Sequence, residues 1–222
     1  MQHRKLRVTA DKTQKKKAGK RREPVQARST ETRAKILDVA YNVFAEKGYD
    51  TANTRDIAAA AGVTHTTIRY HFGSKDELWR ETVRQMFART RAELELSEED
   101  LNQPAEERMK RYLRKYVYYC ARNSNHARIM IAESVRGGER LNWIATNFIR
   151  PGHESILSLA KGALADDIDE TAVISLLYSV VGMCHLPFVL SKEVKALYDI
   201  DIASKEAIET HIETVIRLLF KN

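Results

Sequence analysis

The stretch Asn53–Trp79, NTRDIAAAAGVTHTTIRYHFGSKDELW, decides how the rest of this chain is read. Asn53 is a good N-cap, and Asp56 three residues on completes a capping-box-like pair ahead of the apolar Ile57, Ala58 and Ala61. The alanine run Ala58–Ala61 lets another helix approach closely. Gly62 then supplies the positive φ that ends a helix, and Val63 plugs the turn from inside. Thr64 caps a second short helix whose Ile68 and Phe72 point to a core, while its other side carries small or hydrogen-bonding groups. Ser74-Lys75-Asp76-Glu77 reads as a full S-x-x-E capping box opening a longer helix through Leu78 and Val83. Two short helices around a glycine turn make the pattern of a helix-turn-helix, whose first helix crosses the DNA backbone and whose second enters the major groove. Patterning alone also admits three amphipathic helices of an arbitrary helical domain.

Upstream lies a further helix, ILDVAYNVFAEKGYD from Ile36 to Asp50, closing on Gly48-Tyr49. Together these segments resemble the tetracycline-repressor (TetR) family of bacterial regulators, whose signature is roughly T-x-x-x-I-A-x-x-A-G-V-S-x-x-x-x-Y-x-H-F-x-x-K-x-x-L. It stands here as Asn53, Ile57, Ala58, Ala61, Gly62, Val63, Thr64, Tyr70, His71, Phe72, Lys75 and Leu78. Two positions depart from it: Arg69 stands where an aromatic is usual, and Asn53 replaces a Ser or Thr cap. The resemblance implies an all-α protein in two parts. A three-helix DNA-binding domain comes first, and a helical ligand-binding and dimerisation domain follows, with about nine helices in total. It also implies a repressor that binds a palindromic double-stranded operator as a homodimer and is released by a small, largely apolar effector. The alternative is a DNA-binding protein of the same fold with an architectural or cell-division role and no ligand.

DNA contacts divide into positioning and reading roles. Thr54, Tyr70, His71 and Lys75 match family positions that hold backbone phosphates, and Lys75 sits at a helix N-terminus that itself attracts phosphate. Arg55, His65, Thr66 and Thr67 are the candidates for base edges, since Arg binds guanine bidentately and threonine methyls meet thymine methyls. Thr64 belongs to the same surface as their cap. Arg69 could take either role, and His71 could instead be a structural histidine.

Charge is unevenly placed. Residues 1–28 hold 11 Lys or Arg against 2 acidic residues, leaving 26 basic and 28 acidic in the remainder. The basic balance therefore belongs to a tail of almost no apolar content, expected to be disordered when free. It reads either as a solubilising extension or as an arm lying along phosphates or in the minor groove. It has no apolar h-region of a secretory signal. Cys120 and Cys184 lie in apolar helical surroundings without C-x-x-C spacing. They read as free thiols of a reducing cytoplasm rather than a disulfide or zinc site, with a redox sensor as the other reading. The longest apolar run, Val173 to Leu190, is interrupted by Ser175, Tyr178, Ser179, His185 and Pro187, and reads as too polar for a membrane span.

The expected division is 1–28 basic arm, 29–80 helix-turn-helix domain and 81–222 helical domain. Within the last, helices are expected over Lys75 to about Leu94, 104–122, His126 to Val135, 139–165 with a kink at Pro151-Gly152, 170–191 and 205–220. The 170–191 helix is apolar nearly all round, which suggests burial on both sides. One side could cover the chain's own core and the other a second subunit, or the helix could be the centre of a monomer. Candidate interface residues are Val173, Leu177 and Val180 with the stripe Ile208, Ile212, Val215 and Leu219. Candidate ligand contacts are Tyr116, Tyr119, Met130, Glu133, Trp143, Asn147, Phe148, Tyr178, Cys184 and His185, aromatic and polar groups of the kind that line an apolar pocket. No H-x-x-E-H, C-x-x-C or G-x-S-x-G occurs, and Gly137-Gly138 is not a phosphate loop. The chain accordingly reads as a non-enzyme without metal or cofactor.

Overall fold

The computed structural model describes residues 22–160, 162 and 168–220. Its elements are α1 (Arg22–Thr51), α2 (Thr54–Ala61), α3 (His65–Phe72), α4 (Lys75–Leu94), α5 (Glu98–Leu101), α6 (Ala105–Arg122), α7 (Ser124–Arg136) and α8 (Glu139–Ile144). A π-helical turn (Ala145–Ile149), α9 (Arg150–Ala160), α10 (Glu170–Val189), α11 (Ser191–Tyr198) and α12 (Lys205–Leu219) follow. The described chain is all-α, as expected. Most of the expected tail lies outside the described residues, but Arg22–Arg28 belong to α1 rather than to a disordered arm.

Local chemistry explains most boundaries. Gly62 adopts φ 65°, ψ 33°, with its N–H donating to Ala59 O and that of Val63 to Ala58 O at 3.0 Å, a Schellman closure of α2. The expected capping boxes are corrected in part. Asn53 Oδ1 accepts from Arg55 N at 2.8 Å, but Asp56 turns to Lys47 at 3.4 Å. Ser74 accepts from Glu77 N at 3.0 Å, while the Glu77 carboxylate is taken by Arg84. The reciprocal box forms instead at Ser97 and Asp100, opening the short α5.

The helix expected over 139–165 with a kink at Pro151-Gly152 is a run of helical backbone from Glu139 to Ala160, interrupted by a π turn just ahead of Pro151. Pro151 lacks an N–H, and its ring would collide with the carbonyl four residues back in a regular helix. A π turn directly upstream, in which Arg150 N–H reaches back to Ala145 O, widens the backbone there. With the unforeseen α5 and α11, this raises the count above nine.

Two cores result. The first joins Ile36, Phe44, Ile57, Ile68, Leu78 and Trp79 of the first four helices to Ile129 of α7 and Ile144 of α8. α4 runs straight through the expected 80/81 boundary and carries this core with it. The second core packs Leu113, Val117 and Cys120 of α6 against Cys184 and Phe188 of α10 and Ile208, Ile212 and Val215 of α12. By length and composition α10 could cross a membrane, so its polar interruptions exclude less than expected. What places it in the bundle is its packing on α6 and α7.

That packing changes the expected interface. Ile212 is 0% exposed, and Leu177, Ile208 and Val215 are also buried, so most of their surface is already covered within one chain. Val173, Val180 and Leu219 are half-buried. The α10 face left open is Ile174 (48% exposed), Tyr178 (60%) and Leu186 (48%).

The Gly62 turn sets the angle between α2 and α3. A Cβ there would meet only the flexible end of Lys35 at 3.6 Å, so its cost is conformational rather than steric. Gly62→Ala should destabilise the protein by roughly 1–2 kcal/mol, and Gly62→Asn by less, because Asn tolerates the left-handed region. Equilibrium urea denaturation of the three proteins checks this; equal stability would show that the turn carries no constraint.

Candidate nucleic-acid interface

α2 and α3 present one continuous polar surface because their apolar residues all point the other way. Ile57, Ala58, Ala61, Ile68 and Phe72 are buried, leaving Arg55, Thr64, Thr66, Arg69 and Tyr70 exposed. Tyr70 is 82% exposed, its ring standing edge-on to His71 at 5.1 Å. A large aromatic bare to solvent at the end of a short helix has no packing role.

Side-chain hydrogen bonds stiffen this surface. Thr54 Oγ1 and His65 Nε2 lie 3.1 Å apart and tie the start of α2 to that of α3. Thr64 Oγ1 caps α3 at Thr67 N and shares hydrogen bonds with the hydroxyls of Thr66 and Thr67 at 2.7 and 2.8 Å. Of the candidate residues on these two helices, Thr54, His65, Thr67 and His71 are half-buried beside the exposed Arg55, Thr64, Thr66, Arg69 and Tyr70. Among the described residues Arg55 and Arg69 make no side-chain hydrogen bond, whereas Thr54, Thr64, His65, Thr66 and Thr67 are engaged within the surface.

Lys75 is the first residue of α4, half-buried, and its Nζ donates to Asp50 O at 3.1 Å. The same Nζ lies 4.6 Å from the centre of the Tyr49 ring. Burial, with Arg140 nearby, holds its pKa below the ordinary lysine value.

The ten ligand candidates do not line one cavity. Trp143, Phe148 and Met130 pack on the first core, Phe148 stacked on Phe87 at 4.7 Å. Glu133 is ion-paired with Arg140, Asn147 is exposed and donates to Trp143 O, and Tyr178 faces solvent. Cys184 is buried in the second core, where desolvation raises its thiol pKa to about 12. Burial also raises Cys120 well above the usual thiol range. Neither thiol has the thiolate character that a redox sensor needs.

Trp143 and Phe148 meet at 5.2 Å, and Tyr116, Tyr119 and His185 come together elsewhere, around a residue read from sequence merely as a helix start, His126. Tyr116 OH and His185 Nε2 are 2.9 Å apart. Tyr119 OH lies 2.7 Å from His126 Nδ1 and 2.6 Å from Thr90 Oγ1. The two imidazole centres are 5.8 Å apart, and His185 Nδ1 is buried without a hydrogen-bond partner. A small cavity bordered by Tyr41, Met86, Arg89 and Tyr119 measures about 10 Å³. That is room for one water at most. Sequence periodicity gave no signal for this cluster, because its members come from α4, α6, α7 and α10. Among the described residues no group of three His, Cys, Asp or Glu could hold a metal ion.

Comparison with known proteins bears on both halves. Residues 36–82 match the family described as bacterial regulatory proteins, tetR family. Residues 105–221, more than half of the chain, match the C-terminal domain of the HTH-type transcriptional dual regulator CecR. A stretch of 51 residues is 45% identical to the HTH-type transcriptional regulator AcrR of Shigella flexneri, covering 23% of this chain and 24% of AcrR. Another of 53 residues is 36% identical to the biofilm operon icaADBC HTH-type negative transcriptional regulator IcaR of Staphylococcus epidermidis, covering 24% of this chain and 29% of IcaR. These matches thus span 24% of AcrR and 29% of IcaR, under a third of each relative. The solved structure of AibR, in complex with isovaleryl coenzyme A and operator DNA, shares the fold with a TM-score of 0.63 at 16% identity, over 85% of this chain and 97% of AibR.

The buried imidazoles give the protein a pH response of definite sign. Burial, assisted by the neighbouring His185, lowers His126 from 6.5 to about 3, and burial lowers His185 to about 4. Below pH 6.5 the unfolded chain takes up protons that the folded chain does not, so stability is full above that value and falls with acidification. Between pH 7 and 5 the loss should be on the order of 1 kcal/mol per pH unit per histidine once both are protonated in the unfolded state. Urea denaturation across this range should show the slope, and the double variant His126→Gln, His185→Gln should flatten it. A slope unchanged in the variant would contradict this assignment.

Proposed function

The chain belongs to the TetR family of bacterial regulators, and from that premise we propose that it is a repressor that grips a palindromic operator as a homodimer and is released by a small, largely apolar ligand. The observation that carries the DNA-binding part is the bare polar face of α2 and α3, with Tyr70, Arg55 and Arg69 turned to solvent and no protein group to meet. Phosphates would be held by Thr54, Tyr70, His71 and Lys75, and base edges read by Arg55 with Thr66 and Thr67, whose methyls suit thymine. His65, bonded to Thr54, contributes more to the angle between the two helices than to reading. IcaR's description as a negative regulator supports repression as the outcome of binding. The protein acts in the cytoplasm and carries no enzymatic activity.

Dimerisation uses the open apolar face of α10. Ile174, Tyr178 and Leu186 are large side chains exposed in one chain, Tyr178 touching only the His153 ring at 5.8 Å among the aromatic contacts of the described residues. The bundle of α10 and α12 from two copies would cover them. The small interior cavity favours a second reading for the helical half, a DNA-binding protein with no effector. A ligand of any size must then part the packing around Tyr116, Tyr119 and His185 before it can enter.

Two measurements test these readings. Ile174→Asp with Tyr178→Asp should yield a folded monomer that no longer binds operator. Sedimentation showing the double variant still dimeric would refute the assigned face. Arg55→Ala should relax preference at defined base pairs at a cost of about 1–3 kcal/mol, whereas Arg69→Ala should weaken all sequences alike. Selection of preferred sites at fixed salt separates them, and the reverse pattern would exchange the two roles.

A further inference from the structure

Lys75 occupies an unfavourable place. It is the first residue of α4, where the helix macrodipole disfavours a cation. The site is good for a phosphate and poor for an unsupported ammonium, so something in the protein must hold the side chain there. Two groups do: the Asp50 carbonyl at 3.1 Å and the Tyr49 ring at 4.6 Å.

The Tyr49 ring is itself held. The Arg140 guanidinium carbon lies 4.0 Å from its centre and 5.7 Å from that of Trp79. Arg140 Nε donates to Glu133 Oε2 at 2.9 Å, and Glu133 is only 4% exposed. Glu133 belongs to α7 and Arg140 to α8. Gly137 and Gly138, with φ of 71° and 86°, make the corner that returns Arg140 onto Glu133. A second link runs alongside, because Arg136 at the end of α7 is ion-paired with the Asp50 side chain. Residues from the corner between α7 and α8 thus touch the ring that holds Lys75 and the side chain of the residue whose carbonyl holds it.

We propose that Arg140, anchored by Glu133, is a positioning residue for DNA binding: through the shared Tyr49 ring it sets where Lys75 presents its ammonium. A buried carboxylate is costly unless paired, so the Glu133–Arg140 bond keeps one geometry. A cation over an aromatic ring is attracted to its face; the Tyr49 ring also rests on Phe44 and Trp79, so displacing Arg140 loosens the ring's orientation rather than freeing it, and with it that of Lys75. The corner between α7 and α8 would in this way transmit a shift of the helical half to a phosphate contact. The proposal rests on the reading of Lys75 as a phosphate contact.

A double-mutant cycle tests it, using the full chain and a random-sequence duplex, because phosphate contacts do not depend on sequence. Lys75→Ala should lower affinity and reduce the slope of log K against log salt by roughly 0.9. Arg140→Met should lower affinity several-fold in the parent and have no further effect on the Lys75→Ala protein. Equal losses in both backgrounds would overturn the proposal. An unchanged salt slope for Lys75→Ala would instead remove its premise, and that single variant reveals this failure separately.

Should Arg140→Met unfold the chain by stranding Glu133, the combined Glu133→Gln, Arg140→Met variant leaves no buried charge and serves in its place. The ring supplies an independent readout. Tyr49→Phe should keep the parent affinity and the upfield ring-current shift of the Lys75 ε-methylene protons, while Tyr49→Leu should lose both. Identical behaviour of the two Tyr49 variants would also overturn the proposal.

Discussion

Trp79 is buried to 1% exposure in α4, edge-on to Tyr49 at 5.9 Å and tilted against Trp143 at 5.7 Å. The DNA-binding helices and the first part of the helical half are joined through this stack. Tyr49 closes α1 before the α2–α3 pair begins, and Trp143 belongs to α8, so one indole touches both sides. Close packing leaves such a group little room to move without moving its neighbours. The first core is therefore shared between what the sequence suggested were two domains, and a displacement of α8 cannot stay local.

The electrostatics around this stack follow the same geography. Arg80 and Arg84 lie over Trp143 at 4.9 and 5.4 Å, and Arg140 lies over Tyr49. Acidic partners are placed so that few of these cations are unmatched: Asp76 for Arg80, Glu77 and Glu81 for Arg84, and Glu133 for Arg140. Most of these pairs are half-exposed and contribute little to stability one by one. Glu133–Arg140 differs because its carboxylate is buried, so loss of either partner would be felt. On α2 and α3 the single acidic residue, Asp56, pairs with Lys47, and among the described residues Arg55 and Arg69 form no ion pair.

The second core has another character. It encloses a small polar cluster, Tyr116, Tyr119, His126, His185 and Thr90, inside otherwise apolar packing of α6, α10 and α12. Such groups are stable only while their hydrogen bonds are made, and His185 Nδ1 is already without one. This is where the interior tolerates an additional hydrogen-bonding group most readily. It is also the region whose opposite helical face, on α10, is left apolar and uncovered.

Signals of short range were legible in the sequence. The Gly62 turn, the caps at Asn53, Thr64 and Ser74, the polar face of α3 and most of the helix order each depend on residues no more than about one helical turn apart, which is the reach of capping and helical periodicity. The family resemblance followed from the same segment. Tertiary packing decided what lies beyond that reach. Asp56 and Glu77 could close capping boxes by spacing, but Lys47 and Arg84 stand within their reach and take the carboxylates. The stripe on α12 was visible as a stripe, yet periodicity cannot say whether it faces α6 or a second chain; packing on α6 turned it inward. Nor could spacing bring His126 to Tyr119 and His185, or Arg140 to Tyr49, since each pair joins separate helices. A sequence determines which faces are apolar and where helices stop. Which apolar faces meet, and which charges they carry into contact, is decided only when all the helices compete for the same interior.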